Sequence, residues 1–399
     1  MKQPDSVKSN HPTLPSDRKI KAVHLLHTIA YGGIEAILIN WAKRTRWDLT
    51  CNVDLSLVCF SNPDRSEQAF ITAARKENIA VQTIPWTRRK PIFSSGKKLA
   101  RILRAEHADV LHTHNTYADL TGWVAARRAG VKIVSAQYVW SDFGWKRNLL
   151  QWINQWALRS FDCVTAQCRA TLQDTCARGV DPLRVHILPS GYEPDRTTLT
   201  SSERLHQRGL FGANETDVVL VNVARLYPEK AQARLLEVFR QVANVHSHAR
   251  LWILGVGPLE NDLRSRARAL NLNNHVRFLG FRDDLQAVLR LADIQVHPSS
   301  AEGIPMAILS GMAAALPIVA SEVGGIPEVL QQDITGILVP SVNHAGFESA
   351  FAGAMLKLIG DPEKRGAMGA RAARFIEGEY SMEAAIRKLE QLYTGLLAR

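Results

Sequence analysis

Short apolar runs of strand length alternate with amphipathic runs of helix length along this chain, and that alternation constrains the fold more than any single motif. Lys21–Ile29, Leu55–Phe60, Ala80–Pro85, Asp109–His112, Lys132–Gln137, Phe161–Cys168 and Val185–Pro189 read as strands, with helical stretches between them. The pattern resumes at Asp217–Ala224, Leu251–Gly257, Val276–Phe281, Ile294–His297, Leu316–Ser321 and Thr335–Pro340. Repeated strand–helix–strand units predict parallel sheets with helices on both faces. At 399 residues the chain exceeds one ordinary core, so two such sheets in two domains are expected. The polar stretch Gly191–Asn214, without strand character, reads as the hinge.

Composition narrows the class. An apolar content of 46% is that of a globular protein, and no run of about 18 apolar residues is present to span a bilayer. The opening MKQPDSVKSNHPTLPSDRK lacks the apolar core of a signal peptide and reads as a flexible polar tail over 1–18, so a cytoplasmic location is expected. Five cysteines without metal-type spacing fit reduced thiols. The net charge of +11 is lopsided: residues 1–190 carry 27 Lys and Arg against 15 Asp and Glu, the remainder 22 against 23. Eight of the nine tryptophans lie in the same basic half. This points to peripheral contact with an anionic membrane such as the inner face of the plasma membrane, or to solvated surface over a tryptophan-rich core. Trp145–Ser160 poses the same choice, because Trp145, Leu149, Trp152 and Trp156 form one helical stripe that either packs on the sheet or lies on a membrane. No recognition motif accompanies the charge, so nucleic acid is not an expected partner.

The chemistry concentrates at strand-to-helix turns. In Ser299–Pro327 (SSAEGIPMAILSGMAAALPIVASEVGGIP), Glu302 lies just past a strand's carboxyl end, where open α/β sheets bind ligands. The helix that follows offers free N–H groups to an anion. The same carboxylate is equally explained as a first-turn charge favoured by the helix dipole. RLYPEK places Arg225 and Lys230 across the turn after Asp217–Ala224, either converging on a diphosphate or standing as surface charges. Gly32-Gly33 either admits a ligand close to the backbone or makes a tight turn. His112 and His114 share one face of a strand end. Proton transfer and hydrogen-bonded structure are both open for them, and without a further ligand cluster no metal is expected.

EGIPMAILSGM followed by LPIVASEVGGIPE resembles the signature of the retaining nucleotide-sugar glycosyltransferases of family 4. That family's EG-x-P-x-x-x-LEAM carries two glutamates; the first matches Glu302 and the second falls on Ser310. The resemblance implies the GT-B fold, two Rossmann-like β/α/β domains facing each other across a cleft. It implies an acceptor-binding domain over 19–195, a nucleotide-sugar-binding domain over 215–378 and a helix over 379–399 that packs back on the first domain. The implied activity is that of a metal-independent hexosyltransferase that uses a UDP- or GDP-sugar as substrate and needs no cofactor. The donor is then expected against Gly32, Gly33, Arg225, Lys230, Phe281, Arg282, Glu302, Gly303, Ile304, Pro305 and Ser310. Catalysis falls to Arg225, Lys230 and Glu302, with His114 near the sugar or acceptor. Tyr138, Trp140 and Trp145 are expected at the acceptor, a glycan or lipid-linked glycan of cell-envelope polysaccharide (exopolysaccharide, capsule or lipopolysaccharide). A nucleotide-sugar epimerase of the same architecture and a non-catalytic partner subunit are the alternatives, the latter raised by Ser310.

Overall fold

The computed structural model describes residues 18–27, 32–61, 67–86, 91–138, 145–193 and 199–399, with the backbone alone at 67, 68 and 145–148. The first lobe runs β1 (Ile20–Leu26), α1 (Gly33–Trp47), β2 (Val53–Ser61), α2 (Glu67–Lys76), β3 (Val81–Pro85), α3 (Ile92–Ala105), β4 (Val110–His114), α4 (Thr116–Ala129), β5 (Lys132–Gln137), α5 (Trp145–Leu158), β6 (Cys163–Ala166), α6 (Arg169–Ala177) and β7 (Val185–Ile187). The second runs α7 (Ser201–Leu210), β8 (Val218–Val223), α8 (Gln232–Val245), β9 (Ala249–Leu254), α9 (Glu260–Ala269), β10 (Val276–Gly280), α10 (Leu285–Leu291), β11 (Ile294–His297), α11 (Met306–Ala313), β12 (Ile318–Ser321), α12 (Ile326–Val329), β13 (Gly336–Val339), α13 (Phe347–Ile359) and α14 (Pro362–Glu379), followed by α15 (Met382–Leu397).

Each lobe is built on one parallel sheet, ordered β3-β2-β1-β4-β5-β6-β7 and β10-β9-β8-β11-β12-β13. Helical crossovers force the parallel pairing, and strands covered on both faces become nearly continuous in apolar residues. β4, β6, β11 and β12 are accordingly buried at every position. In both sheets the order reverses between the first and fourth strands, β1/β4 and β8/β11. Loops leaving such neighbours in opposite directions open a crevice at the strands' carboxyl ends.

The stretch read as a polar hinge is shorter than expected. Residues 201–210 form α7, whose start is capped by Thr200 and Glu203. Arg204 and Arg208 reach Asp293 at 2.8 and 3.1 Å, and Asp293 also accepts the Val219 N–H at 2.7 Å. Long-range ion pairing, invisible to local pattern, fastens this helix to the second sheet. The crossing between lobes is made where residue 192 runs beside 381: the Tyr192 N–H donates to the Tyr380 carbonyl and the Met382 N–H to the Tyr192 carbonyl, at 2.7 and 3.0 Å. Gly191 adopts φ 72°, and a Cβ there would collide with Ala385.

Helix α15 packs on the first lobe. Met382, Ile386, Leu389, Tyr393 and Leu396 are buried in a core with β1, β2 and α1. Tyr393 also carries its hydroxyl into that core, meeting His112 Nδ1 at 2.7 Å and His24 Nε2 at 2.9 Å. His24 Nδ1 meets His114 Nε2 at 2.9 Å, and His114 Nδ1 meets the Tyr138 hydroxyl at 2.9 Å. Burial depresses all three histidines, His114 to about 3, with the neighbouring rings adding to the effect on His24 and His112.

These depressed values link folding to pH. Unfolded histidines protonate near 6.5 while the folded three do not, so the unfolded chain binds more protons below that point and stability falls as pH falls. Lowering the pH from 7.5 to 5.5 is expected to cost roughly 1.4 kcal/mol per ring, about 4 kcal/mol for the three. The urea midpoint of tryptophan fluorescence, which reports chiefly on the first lobe, will shift accordingly; an unchanged midpoint would show that the rings are already charged or exposed.

Candidate active site

Two of the residues singled out by sequence, Lys230 and Glu302, come together at the β8/β11 switch point. The turn after β8 carries Arg225 and Lys230, and the loop after β11 carries Glu302. Lys230 Nζ lies 2.6 Å from Glu302 Oε1, with the two side chains 15% and 9% exposed. His297, the last residue of β11, places Nε2 2.8 Å from the same oxygen, and Ser299 Oγ sits 3.1 Å from that nitrogen. Burial by itself raises the Glu302 pKa, but the hydrogen bond and charge of His297, with those of Lys230, reverse this and bring it to about 2. The two loops are also joined by backbone, Ser300 N–H to the Glu229 carbonyl at 2.8 Å. Sequence reading assigned His297 no role; its signal was a histidine at a strand's carboxyl end, five residues before Glu302.

Gly324 explains why a glycine pair follows β12. It has φ 54°, and a Cβ would overlap the Glu302 carbonyl oxygen, while the Gly325 N–H donates to the Gly303 carbonyl at 3.1 Å. The loop after β12 thus lies backbone to backbone against the Glu302 loop. From the first lobe, Gly33 at the start of α1 comes up to Met306, the first residue of α11: a Cβ on Gly33 would sit 3.2 Å from Met306 Cγ. The Gly32 N–H is held by Glu35 Oε2 at 3.0 Å. Gly303, Ile304 and Pro305 complete the turn into α11, and Gly303 and Ile304 are buried.

The other predicted residues stand apart from this contact. Arg225 is 59% exposed, 3.8 Å from Glu229, with its guanidinium over the Tyr227 ring. Phe281 is 60% exposed just past β10, and Arg282 is held by Asp284 at 2.7 Å. Ser310 turns inward: its hydroxyl donates to the Met306 carbonyl at 2.8 Å, one turn back along α11.

His114 is 1% exposed and both its ring nitrogens are hydrogen-bonded, so it is not presented to the cleft as a free proton carrier. A cavity of about 20 Å³, the size of a water site, lies beside it among Gln137, Tyr138, Gln167 and Ser190. Nitrogens of His24, His112 and His114 lie within 4.8 Å of one another, as in a three-imidazole metal site. However, His114 stacks on both other rings at 23°, and hydrogen bonds occupy the nitrogens that would have to converge. Burial raises the pKa of the Tyr138 hydroxyl, reinforced by Glu35 and Asp119. Trp140 lies outside the described residues, as does the side chain of Trp145. The stripe on α5 faces outward: Leu149, Trp152 and Trp156 are 54, 64 and 58% exposed, and the opposite face buries Asn154, Ala157 and Leu158.

Comparison with known proteins fits this geometry. Residues 31–196 match the model of Glycosyltransferase Family 4, and residues 204–375 match that of Glycosyl transferases group 1. The chain is 24% identical over 400 residues to the UDP-Gal:alpha-D-GlcNAc-diphosphoundecaprenol alpha-1,3-galactosyltransferase of Escherichia coli, covering 95% of this chain and 98% of that one. It is 27% identical over 360 residues to the GDP-mannose-dependent monoacylated alpha-(1-6)-phosphatidylinositol monomannoside mannosyltransferase of Corynebacterium glutamicum, covering 82% and 87%. Anabaena HepE, solved in complex with UDP and glucose, superposes with a TM-score of 0.79 at 20% identity, covering 94% of this chain and all of that one. The chain belongs to glycosyltransferase family 4, and its two parallel-sheet lobes form the GT-B fold.

Proposed function

We propose that the chain transfers a hexose, with retention of configuration, from a nucleoside diphosphate sugar to a lipid-linked glycan during cell-envelope polysaccharide assembly. The observation that carries this reading is the meeting of Lys230 and Glu302, 72 residues apart in sequence, at the second sheet's switch point. Cleavage of the anomeric bond leaves negative charge on the diphosphate. A fixed cation there stabilises that charge with no reorganisation, and removing one such contact typically costs about 2.7–4 kcal/mol of barrier. An ammonium has three N–H donors and Glu302 takes one, so Lys230 retains two for diphosphate oxygens. Arg225, from the same turn, supplies the second cation. Glu302, ionised and held at Oε1, orients sugar hydroxyls. UDP in the HepE structure supports a nucleoside diphosphate donor. The polyprenyl-linked substrate in the name of the E. coli relative supports a lipid-linked acceptor.

The acceptor side is read from the first lobe. No helix among the described residues is long and apolar enough to cross a membrane. The outward face of α5 instead presents Leu149, Trp152, Ile153 and Trp156. Trp156 packs edge-on against Trp123, which also lies under the Arg127 guanidinium at 4.2 Å and donates its indole N–H to Ser160 at 2.8 Å. Exposed indoles beside cations suit a bilayer interface, and such contact brings a lipid-linked acceptor to the cleft.

A thermal-shift panel of UDP-, GDP-, ADP- and dTDP-sugars will identify the donor; stabilisation by none of them at millimolar concentration would sink the proposal. With that donor, Lys230→Ala is expected to lower transfer about 100- to 1,000-fold while the protein stays folded. Ser310→Ala is expected to leave the donor KM within about twofold, because its hydroxyl is spent on its own helix; a tenfold rise would put Ser310 on the donor. In flotation with anionic vesicles at low salt, wild type will rise with the lipid and a Trp152→Ser/Trp156→Ser variant will stay behind. Equal flotation of the two would remove α5 from the interface.

A further inference from the structure

His297 has a place at this site that its position in a strand does not account for. It is 2% exposed at the carboxyl end of β11, in register with Ala320 of β12. Its Nε2 faces Glu302 Oε1 at 2.8 Å, so that nitrogen carries the proton it donates. Its Nδ1 is buried with no hydrogen-bond partner among the described residues. An orphaned polar atom opposes folding, and an apolar residue would serve the strand end better. A local rule broken beside a carboxylate marks a functional constraint.

We propose that His297 is a positioning residue for the donor sugar, fixing the Glu302 carboxylate through Oε1 so that Oε2 meets the sugar hydroxyls. This rests on the reading of Lys230 and Glu302 as the donor site and deepens it. In the ligand-free protein Lys230 and His297 share Oε1. Lys230 keeps one N–H on Oε1 and turns the other two to the diphosphate, so it serves the bare diphosphate and the sugar nucleotide alike. His297 fixes the direction of the carboxylate, which matters only when a sugar is present for Oε2 to meet. Lys230 serves the diphosphate and His297, through Glu302, serves the sugar; the two halves of the donor are recognised by separable groups.

The test is calorimetric binding of two ligands, the nucleotide sugar that most stabilises wild type and its bare nucleoside diphosphate, to His297→Ala, His297→Asn and His297→Gln. A glutamine amide nitrogen reaches the position of Nε2, whereas an asparagine amide nitrogen reaches only that of Nδ1. The alanine and asparagine variants are expected to bind the nucleotide sugar about 10- to 100-fold more weakly, and the bare diphosphate within about twofold of wild type. Glutamine is expected to restore sugar-nucleotide binding to within about fivefold of wild type. Equal losses for both ligands, equal behaviour of asparagine and glutamine, or no loss at all would each overturn the positioning role. Thermal unfolding of each variant separates misfolding from loss of the contact, and the glutamine variant keeps the question answerable if alanine does not fold. Wild type that binds no nucleotide sugar overturns the donor site itself, and this role with it; wild type that binds while His297→Ala matches it overturns this role alone.

Discussion

A carboxylate withdrawn from water and kept ionised is the constraint on which this site depends. Glu302 is 9% exposed, and burial alone favours its protonated form. It stays charged because Lys230 and His297 both address Oε1. These groups come from two segments, the turn after β8 and the end of β11 with its loop, which meet only if β8 and β11 are neighbours, and that adjacency is the order reversal of the sheet. Topology therefore fixes the electrostatics. The Gly324 loop, pressed against the Glu302 backbone without an intervening side chain, limits how far the arrangement can relax. Fixed charges that need not reorganise are what a reaction developing charge on a leaving group requires.

The interior of the first lobe is built on the opposite chemistry. Its central polar feature is a chain of uncharged groups, Tyr138–His114–His24–Tyr393–His112, in which each link is a hydrogen bond of 2.7–2.9 Å. Fully partnered buried networks rigidify and specify a core, whereas partly partnered ones weaken it. Here the network is completed by a residue of α15, so the first lobe's interior depends on a helix that follows the whole second lobe.

How much of this was legible follows from the range of the interactions. Strands and helices were readable because their causes, periodicity and burial on two faces, act within ten or so residues. The Glu302 loop was readable because glycines, proline and carboxylate sit together in one stretch. The α7 helix was not, since it is fastened by Arg204 and Arg208 to Asp293, over 80 residues away. For His114 proton transfer and hydrogen-bonded structure both stayed open, because its partners, His24 and Tyr138, and beyond them Tyr393, are scattered along the chain. The α5 stripe was recognisable as apolar, but which way it faced depended on Asn154, whose amide donates to Asp119 at 2.9 Å and turns the polar-looking side inward. Ser310 was noticed as a departure, yet only the fold reveals that its hydroxyl serves its own helix.

The segment after β12 makes contacts in both lobes. On one side Gly324 and Gly325 press on the backbone of Glu302 and Gly303. On the other, Gly325 comes against Cys168, and Glu328 accepts the Arg169 N–H at 2.7 Å, at the start of α6 in the first lobe. Gly33 against Met306 makes a second contact between the lobes at the start of α11. The loop that bears Glu302 is therefore enclosed by elements that themselves touch the opposite lobe. The buried carboxylate is thereby held where the packing of both lobes meets, with backbone against backbone and little room to relax.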